Sequence, residues 1–434
     1  MNLQIWSVVP FILLLVAIAV LPLLAENWWH WNRNKAFVCF LLAAPTVFYL
    51  CHEEFNNNQP SLHALAHELA EYVSFILLLG ALYTVVGGIV IFGDLEAKPL
   101  TNTLFLATGA AVANLIGTTG ASVLLIRPVL RINRDRVNTR HLPVFFIFSV
   151  SNLAGLLTPL GDPPLFLGFL KGVPFEWTLG LWPQWLLANG IVLITFFVWD
   201  WLAYRKETQQ SLKREHKHLR PLHVRGLSRN GWLLGGIVGA VLLQGQLDDP
   251  WSKIVSGTIM LFMAILSLAL TDLRLRKAND FQWAPIVEVA ILFLGIFITM
   301  TPALEILTAR RDIFRLTEPW QFFWCTGGLS AFLDNAPTYL IFATMAARNQ
   351  DLSILLTGKP PGLVDGPLVL QAISCGAVFM GAMTYIGNGP NFMVKAIADH
   401  AGYKTPSFFG YLGYALVVLI PIFVVVTLVF FVAW

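Results

Sequence analysis

The chain has 434 residues, 56% of them hydrophobic and 12% charged, with a net charge of +3 and a mean hydropathy of +0.68. A soluble domain carries about 25% charged residues. The composition therefore excludes a soluble multidomain enzyme, a disordered scaffold and a nucleic-acid-binding protein, and implies a polytopic membrane protein.

A hydrocarbon core of about 30 Å takes about 20 helical residues. On that measure full spans are predicted at 6–24, 36–51, 71–93, 141–162, 181–203, 231–247, 251–272, 284–301, 368–393 and 410–433. The first has no Lys or Arg in front of it, so it reads as a membrane helix with its N-terminus outside rather than a signal peptide. Trp28, Trp29 and Trp31, and later Trp182 and Trp185, read as interfacial belts. The stretch 52–71 reads as a solvated outer loop. His63 and His67 in it have the i, i+4 spacing of a metal pair, but HExxH is absent and no metal is expected. Cys39, Cys51, Cys325 and Cys375 read as buried small hydrophobes.

Two further apolar stretches, 103–126 and 320–345, are unlike plain lipid-facing helices. The first is rich in small and polar residues, and the second carries Asp334, Asn335 and Pro337 at its middle. Both are predicted to be re-entrant hairpins, since irregular backbone at membrane depth must be buried or line a cavity. The cytoplasmic segments are then 25–35, 94–102, 127–140, 204–230, 273–283 and 394–409. They hold 21 of the 28 Lys and Arg, as the positive-inside rule requires, and both termini lie outside. Arg310, Arg311 and Arg315 fall on the outer side and are read as a surface helix.

The chain repeats itself. Residues 155–166 are GLLTPLGDPPLF and 381–392 are GAMTYIGNGPNF, with Gly155/Gly381, Thr158/Thr384, Gly161/Gly387, Pro164/Pro390 and Phe166/Phe392 identical and Asp162 opposite Asn388. The hairpin tips, TTGAS at 118–122 and DNAPT at 334–338, match more weakly. The predicted fold is therefore an all-α polytopic membrane protein built as an inverted-topology repeat. Each half has five transmembrane helices and one hairpin, with broken helices at the midplane. The first repeat is 1–203 (scaffold 1–100, hairpin and broken helix 101–203). A basic cytoplasmic linker, 204–230, faces anionic lipid headgroups. The second repeat is 231–434 (scaffold 231–301, hairpin and broken helix 302–434).

Paired Gly/Pro-broken segments in inverted repeats mark a transporter's substrate site. Prolines there release backbone carbonyls, which suit a hard cation, and half-helix N-termini suit an anion. Asp162 and Asp334 sit at membrane depth, where a carboxylate must be protonated, paired with a cation or in contact with water. They are the predicted proton or cation carriers. Around them Asn114, Thr118, Thr119, Ser122, Ser151, Asn152, Thr158, Gly161, Asn335, Thr338, Thr384, Gly387, Asn388 and Asn391 are the predicted ligands. Glu288 reads as an interfacial acid, and Asp200 and Asp272 as ordinary span ends. No phosphate-cradling GxxxxGK[ST] and no nucleophile–base cluster occurs, so neither an ATP-driven pump nor an enzyme is predicted.

At these residues, SNLAGLLTPLGDPP (151–164), FLDNAPTY (332–339) and GNGPN (387–391), the chain resembles the NhaD-type sodium/proton antiporters. It is also similar to the wider ion transporter superfamily of arsenite permeases, citrate carriers and divalent-anion/sodium symporters. The resemblance implies scaffold and transport domains, a homodimer, elevator-like movement and a bacterial inner (plasma) membrane. It also implies two half-sites. One is Ser151, Asn152, Thr158, Gly161 and Asp162; the other is Asn335, Thr338, Thr384, Gly387 and Asn388. The Ser-Asn-Thr signature of the dicarboxylate branch is interrupted at Leu153 and Ala336, and Leu165 stands where relatives often carry Asn. The leading expectation is a Na⁺(Li⁺)/H⁺ antiporter without a bound cofactor. The alternative is a cation-coupled carrier of citrate or a dicarboxylate, and the third is arsenite efflux. An organic anion would call for a buried basic residue, for which Lys395 and Arg127 are the nearest candidates.

Overall fold

The computed structural model describes residues 3–57, 59–207, 220–247, 251–309, 316–348, 351–358 and 363–432. Arg310, Arg311, Arg315 and the middle of the basic linker, 208–219, including Lys213, Arg214 and Lys217, lie outside the described residues. Among those described, nine helical segments are long and apolar enough to cross a membrane.

Helix α1 is Val9–Leu24, α2 is Asn32–Asn57 and α3 is Ser61–Val86. The predicted outer loop at 52–71 is mostly helix. Both α2 and α3 run into it, and Ser61 Oγ donates to Leu50 O while Leu62 N donates to Glu54 Oε2, fixing a tight corner. Strand β1, Val90–Asp94, corrects the end of the span predicted at 71–93 and adds a short ribbon to an otherwise helical chain. Gly87 and Gly88 end α3, and the β-branched Val90 and Ile91 favour extended backbone.

Helix α4, Pro99–Ile132, is a hairpin folded at Gly117 (φ 77°). A straight helix would separate Asn102 from Asn133 by about 46 Å. Instead their side-chain amides exchange two 2.9 Å hydrogen bonds. The stretch 103–126 therefore folds back on itself as a hairpin.

The span predicted at 141–162 is the first part of a broken helix. Helix α5 (His141–Ser149) gives way to a 3₁₀ turn, Leu153–Leu157, and an extended stretch. Helix α6 (Pro163–Leu170) then begins on two prolines, whose missing N–H groups cost nothing at a helix start. Helix α7 is Trp182–Tyr204. Strand β2, Arg220–Arg225, pairs antiparallel with β1. Helices α8 (Leu227–Gln244), α9 (Trp251–Leu270), α10 (Leu273–Ala278) and α11 (Ala284–Ala309) follow.

The region 320–345 forms α12 (Pro319–Ser330) and α13 (Asn335–Ala347), two short helices that meet at 331–334. Helix α14 (Gly366–Met380), a turn at Gly381–Met383 and α15 (Gly389–His400) form the second broken helix, which runs past the predicted end at 393. Helix α16 is Phe408–Val426.

Packing interleaves the halves. Helix α15 lies against the first hairpin, α4, and α13 lies against α6, while α3 packs on α8, α9 and α11. The apolar core is densest where these elements cross: Val144–Phe148 and Ala377–Phe379 are completely buried. On the outside, Ile12, Phe37, Phe40, Phe48 and Ile194 are exposed apolar side chains, as a lipid-facing surface needs. Trp28, Trp31 and Trp182 are exposed in keeping with a belt. Trp29 is buried, however, and Trp185 donates its indole N–H to Ala154 O, because both pack inward. Cys39 and Cys375 are buried, Cys51 is half-buried and Cys325 is exposed, which corrects the uniform burial expected of the four.

Candidate functional site at the crossing of the broken helices

Each break is built on a glycine pair. A Cβ on Gly161 would lie 2.3 Å from Gly155 O, and one on Gly387 would lie 2.6 Å from Gly381 O. Both contacts are too close for any side chain. Each break is then tied to a hairpin by a threonine. Thr158 Oγ1 donates to Asn114 O in the first half, and Thr384 Oγ1 donates to Ala331 O in the second, both at 2.5 Å. Thus matched residues make matched contacts. The carbonyl of Gly161 is not free for a cation as expected: Thr118 N donates to it at 2.8 Å.

Asp162 stands at the N-terminus of α6, but its carboxylate does not cap that helix. It turns across the molecule instead. Oδ1 accepts from Thr118 Oγ1 at 2.8 Å and from Asn388 Nδ2 at 3.3 Å, and Oδ2 accepts from Asn335 Nδ2 at 2.5 Å. These donors come from the first hairpin, the second broken helix and the second hairpin. Asn388 Nδ2 also reaches Asn152 Oδ1 (3.2 Å) and Ser151 O (3.3 Å). Asn152 Nδ2 donates to Asn391 Oδ1 at 2.7 Å, and Ser151 Oγ meets Ser122 Oγ at 2.7 Å. Eight of the predicted residues, Thr118, Ser122, Ser151, Asn152, Asp162, Asn335, Asn388 and Asn391, thus form one buried polar chain. Asn335 Oδ1, also buried, accepts no hydrogen bond.

The other predicted ligands do not join that chain. Asn114 is a staple: its Oδ1 accepts from Leu157 N and its Nδ2 donates to Ala110 O. Thr338 Oγ1 bonds back to Asp334 O. Asp334 is half-buried and caps α13 by accepting from Ala336 N. Thr119 lines a small cleft of about 50 Å³ that reaches Asp162 between Phe75, Leu79 and Tyr83 of α3, Pro285 and Val289 of α11, and the hairpin tip at Gly117.

Among the described residues no lysine or arginine bonds to Asp162. Arg127 is engaged with Asn279 O and Asp280, and Lys395 with Asp399 and the Tyr385 ring. Three buried charged groups escaped the sequence reading. Asp200 is an ion-pair centre, 2.7 Å from Arg136 and 2.9 Å from His141, and not an ordinary span end. Glu68 pairs with Lys171 at 2.7 Å and Glu71 with Lys253 at 2.9 Å, in the stretch read as solvated. Each partner comes from a remote element, so no spacing along the chain announces these pairs. The available signal was the lone Lys171 on an apolar half-helix.

Residues 1–431 match a family model described as "Putative citrate transport". No curated protein matches the chain.

Proposed function

The chain belongs to this citrate transport family, and on that premise we propose a secondary active transporter that carries an organic anion of the citrate class, coupled to a cation or proton at Asp162. The observation that carries the reading is a buried carboxylate held only by neutral donors, Thr118, Asn335 and Asn388. Left ionised and alone, it would cost several kcal/mol. A proton or a small cation relieves that cost, and the unpartnered Asn335 Oδ1 is a ready further ligand for the cation. Asn388 Nδ2, shared at 3.2–3.3 Å among Asp162 Oδ1, Asn152 Oδ1 and Ser151 O, is the weakly held uncharged donor suited to a carboxylate oxygen of a substrate whose charge the coupling ion offsets.

The wider arrangement in this reading is an inverted repeat of two halves, a scaffold of α1–α3 and α8–α11, and a transport body of the hairpins and broken helices. Elevator-like movement, a homodimer, outer termini and an inner-membrane setting complete it. A second reading, a Na⁺(Li⁺)/H⁺ antiporter of the NhaD type, is favoured by one specific feature: among the described residues no basic side chain bonds to Asp162.

Purified protein in liposomes separates the two. With an imposed proton or sodium gradient, labelled citrate is expected to accumulate, and Asp162→Asn to lower the rate at least tenfold. Asp334→Asn is expected to lower it far less. A pH dye that responds to Na⁺ or Li⁺ without any organic anion would select the antiporter. Folded protein that moves neither citrate nor protons would sink both.

A further inference from the structure

Lys171 closes α6 and is itself fastened to the 3₁₀ turn Leu352–Leu356 that packs on the second hairpin, because its carbonyl accepts from Leu352 N at 2.8 Å. Its ammonium, however, reaches out of that body to Glu68 on α3, with only 5% and 2% of the two side chains exposed. Helix α3 packs against α6 there. Two other charges face the pair. Glu71, one turn along α3, is held by Lys253 of α9, and His67 stands 3.6 Å from Glu68 and 3.7 Å from Glu71.

At the other end of α3, some 22 Å away by helical rise between Glu68 and Tyr83, the situation is reversed. The cleft to Asp162 is lined on this side by Tyr83, Pro285 and Ile286. On that face the hairpin is joined to its surroundings by Arg127, which donates to Asn279 O at 2.7 Å and pairs with Asp280 at 3.3 Å with 29% and 67% of the two side chains exposed, and by Arg131, which donates to Ile91 O at 2.9 Å. Charges screened by water hold weakly, and buried partners hold firmly. The buried charge pair therefore stands towards one end of α3, and among the described residues the charge pair between hairpin and scaffold at the other end is exposed to water.

We infer that Lys171 and Glu68 form a latch between the transport body and the scaffold, one that must part for Asp162 to reach the face where α3 begins. The inference rests on the transporter reading above but not on the substrate. When Lys171 leaves with the second hairpin, Glu68 keeps His67 as a neighbour on its own helix, so the parted state need not leave the carboxylate alone.

Accessibility tests this without any flux measurement. In a chain whose four cysteines are alanine, Thr119→Cys reports from the cleft. Membrane-impermeant maleimide is applied to intact cells lacking the outer envelope and to inverted vesicles. The parent is expected to label from the Tyr83 face only. Lys171→Met, or Lys171→Met with Glu68→Met should the single variant fail to fold, is expected to label severalfold faster from the Glu68 face. The reversal Glu68→Lys with Lys171→Glu is expected to return labelling to one side. A disulfide between Glu68→Cys and Lys171→Cys is expected to hold labelling one-sided until it is reduced. Labelling of the parent from both faces overturns the latch, as does one-sided labelling unchanged in the neutral double variant. Citrate flux with no shift in labelling rejects the latch alone. A shift in labelling with no flux leaves the latch standing and rejects the substrate.

Discussion

At Asp162 and Asn388 the repeat differs where its chemistry matters. Both residues stand at a half-helix N-terminus with extended backbone and neither caps its helix. One can carry a negative charge and the other can only hydrogen-bond. The pair therefore meets as carboxylate and amide, at 3.3 Å, where two carboxylates would repel. The glycines beside them have no such freedom to differ. Gly161→Ala and Gly387→Ala each drive a methyl into a carbonyl oxygen, and each is expected to cost about 1–3 kcal/mol as overpacking. Gly389→Ala, with open space around it, is the control. Thermal unfolding in detergent is expected to show a lower midpoint for the first two and an unchanged or slightly higher one for the third.

Among the elements, the first hairpin depends on a clamp at its base. Asn102 and Asn133 join its two arms, and Asn102, Arg136 and His141 all converge on Asp200 of α7. The hairpin, α5 and α7 are thereby fixed to each other by one carboxylate. Asp200→Ala removes it and leaves Arg136 buried with Glu207 as its more distant acid, 3.9 Å away. The expected loss is about 3 kcal/mol, because an uncompensated buried charge is left behind. Asp200→Ala with Arg136→Met is expected to recover part of it. If the double variant is no more stable than the single, by detergent melting, the clamp is not electrostatic. The threonine staples are smaller: Thr158→Val and Thr384→Val each give up one hydrogen bond, about 1 kcal/mol, and similar losses are expected because the two contacts match.

For the whole molecule, the site exists only where the halves meet. Asn152 bonds to Asn391, Asp162 to Asn335 and Asn388, and Tyr72 of α3 donates to Ala290 O of α11. Strand β1 from the first half pairs with β2 beside the second. Separation would leave these buried polar groups and an apolar interface unpartnered. A protease site placed within 208–219 is thus expected to give two fragments that co-elute after cleavage and keep Asp162-dependent transport. Fragments that part on size exclusion would show that the interface between the halves is too weak to act as a single body.

The membrane class, the hairpin at 103–126, the paired breaks and most of the polar chain around Asp162 were legible in the sequence. They are written in local composition: small and polar residues within an apolar stretch, and Gly and Pro where a helix must stop. Repetition strengthened that signal, since the same break occurs twice. The strand at Val90–Asp94 was not legible, because its partner lies more than a hundred residues away and a short apolar run suits a helix end as well. Nor were the roles of Asp200, Glu68 and Lys171. Hydropathy records that a charge is present and says nothing of what stands opposite it. Burial and pairing are settled by which remote side chain arrives within about 3 Å, and only the tertiary structure decides that.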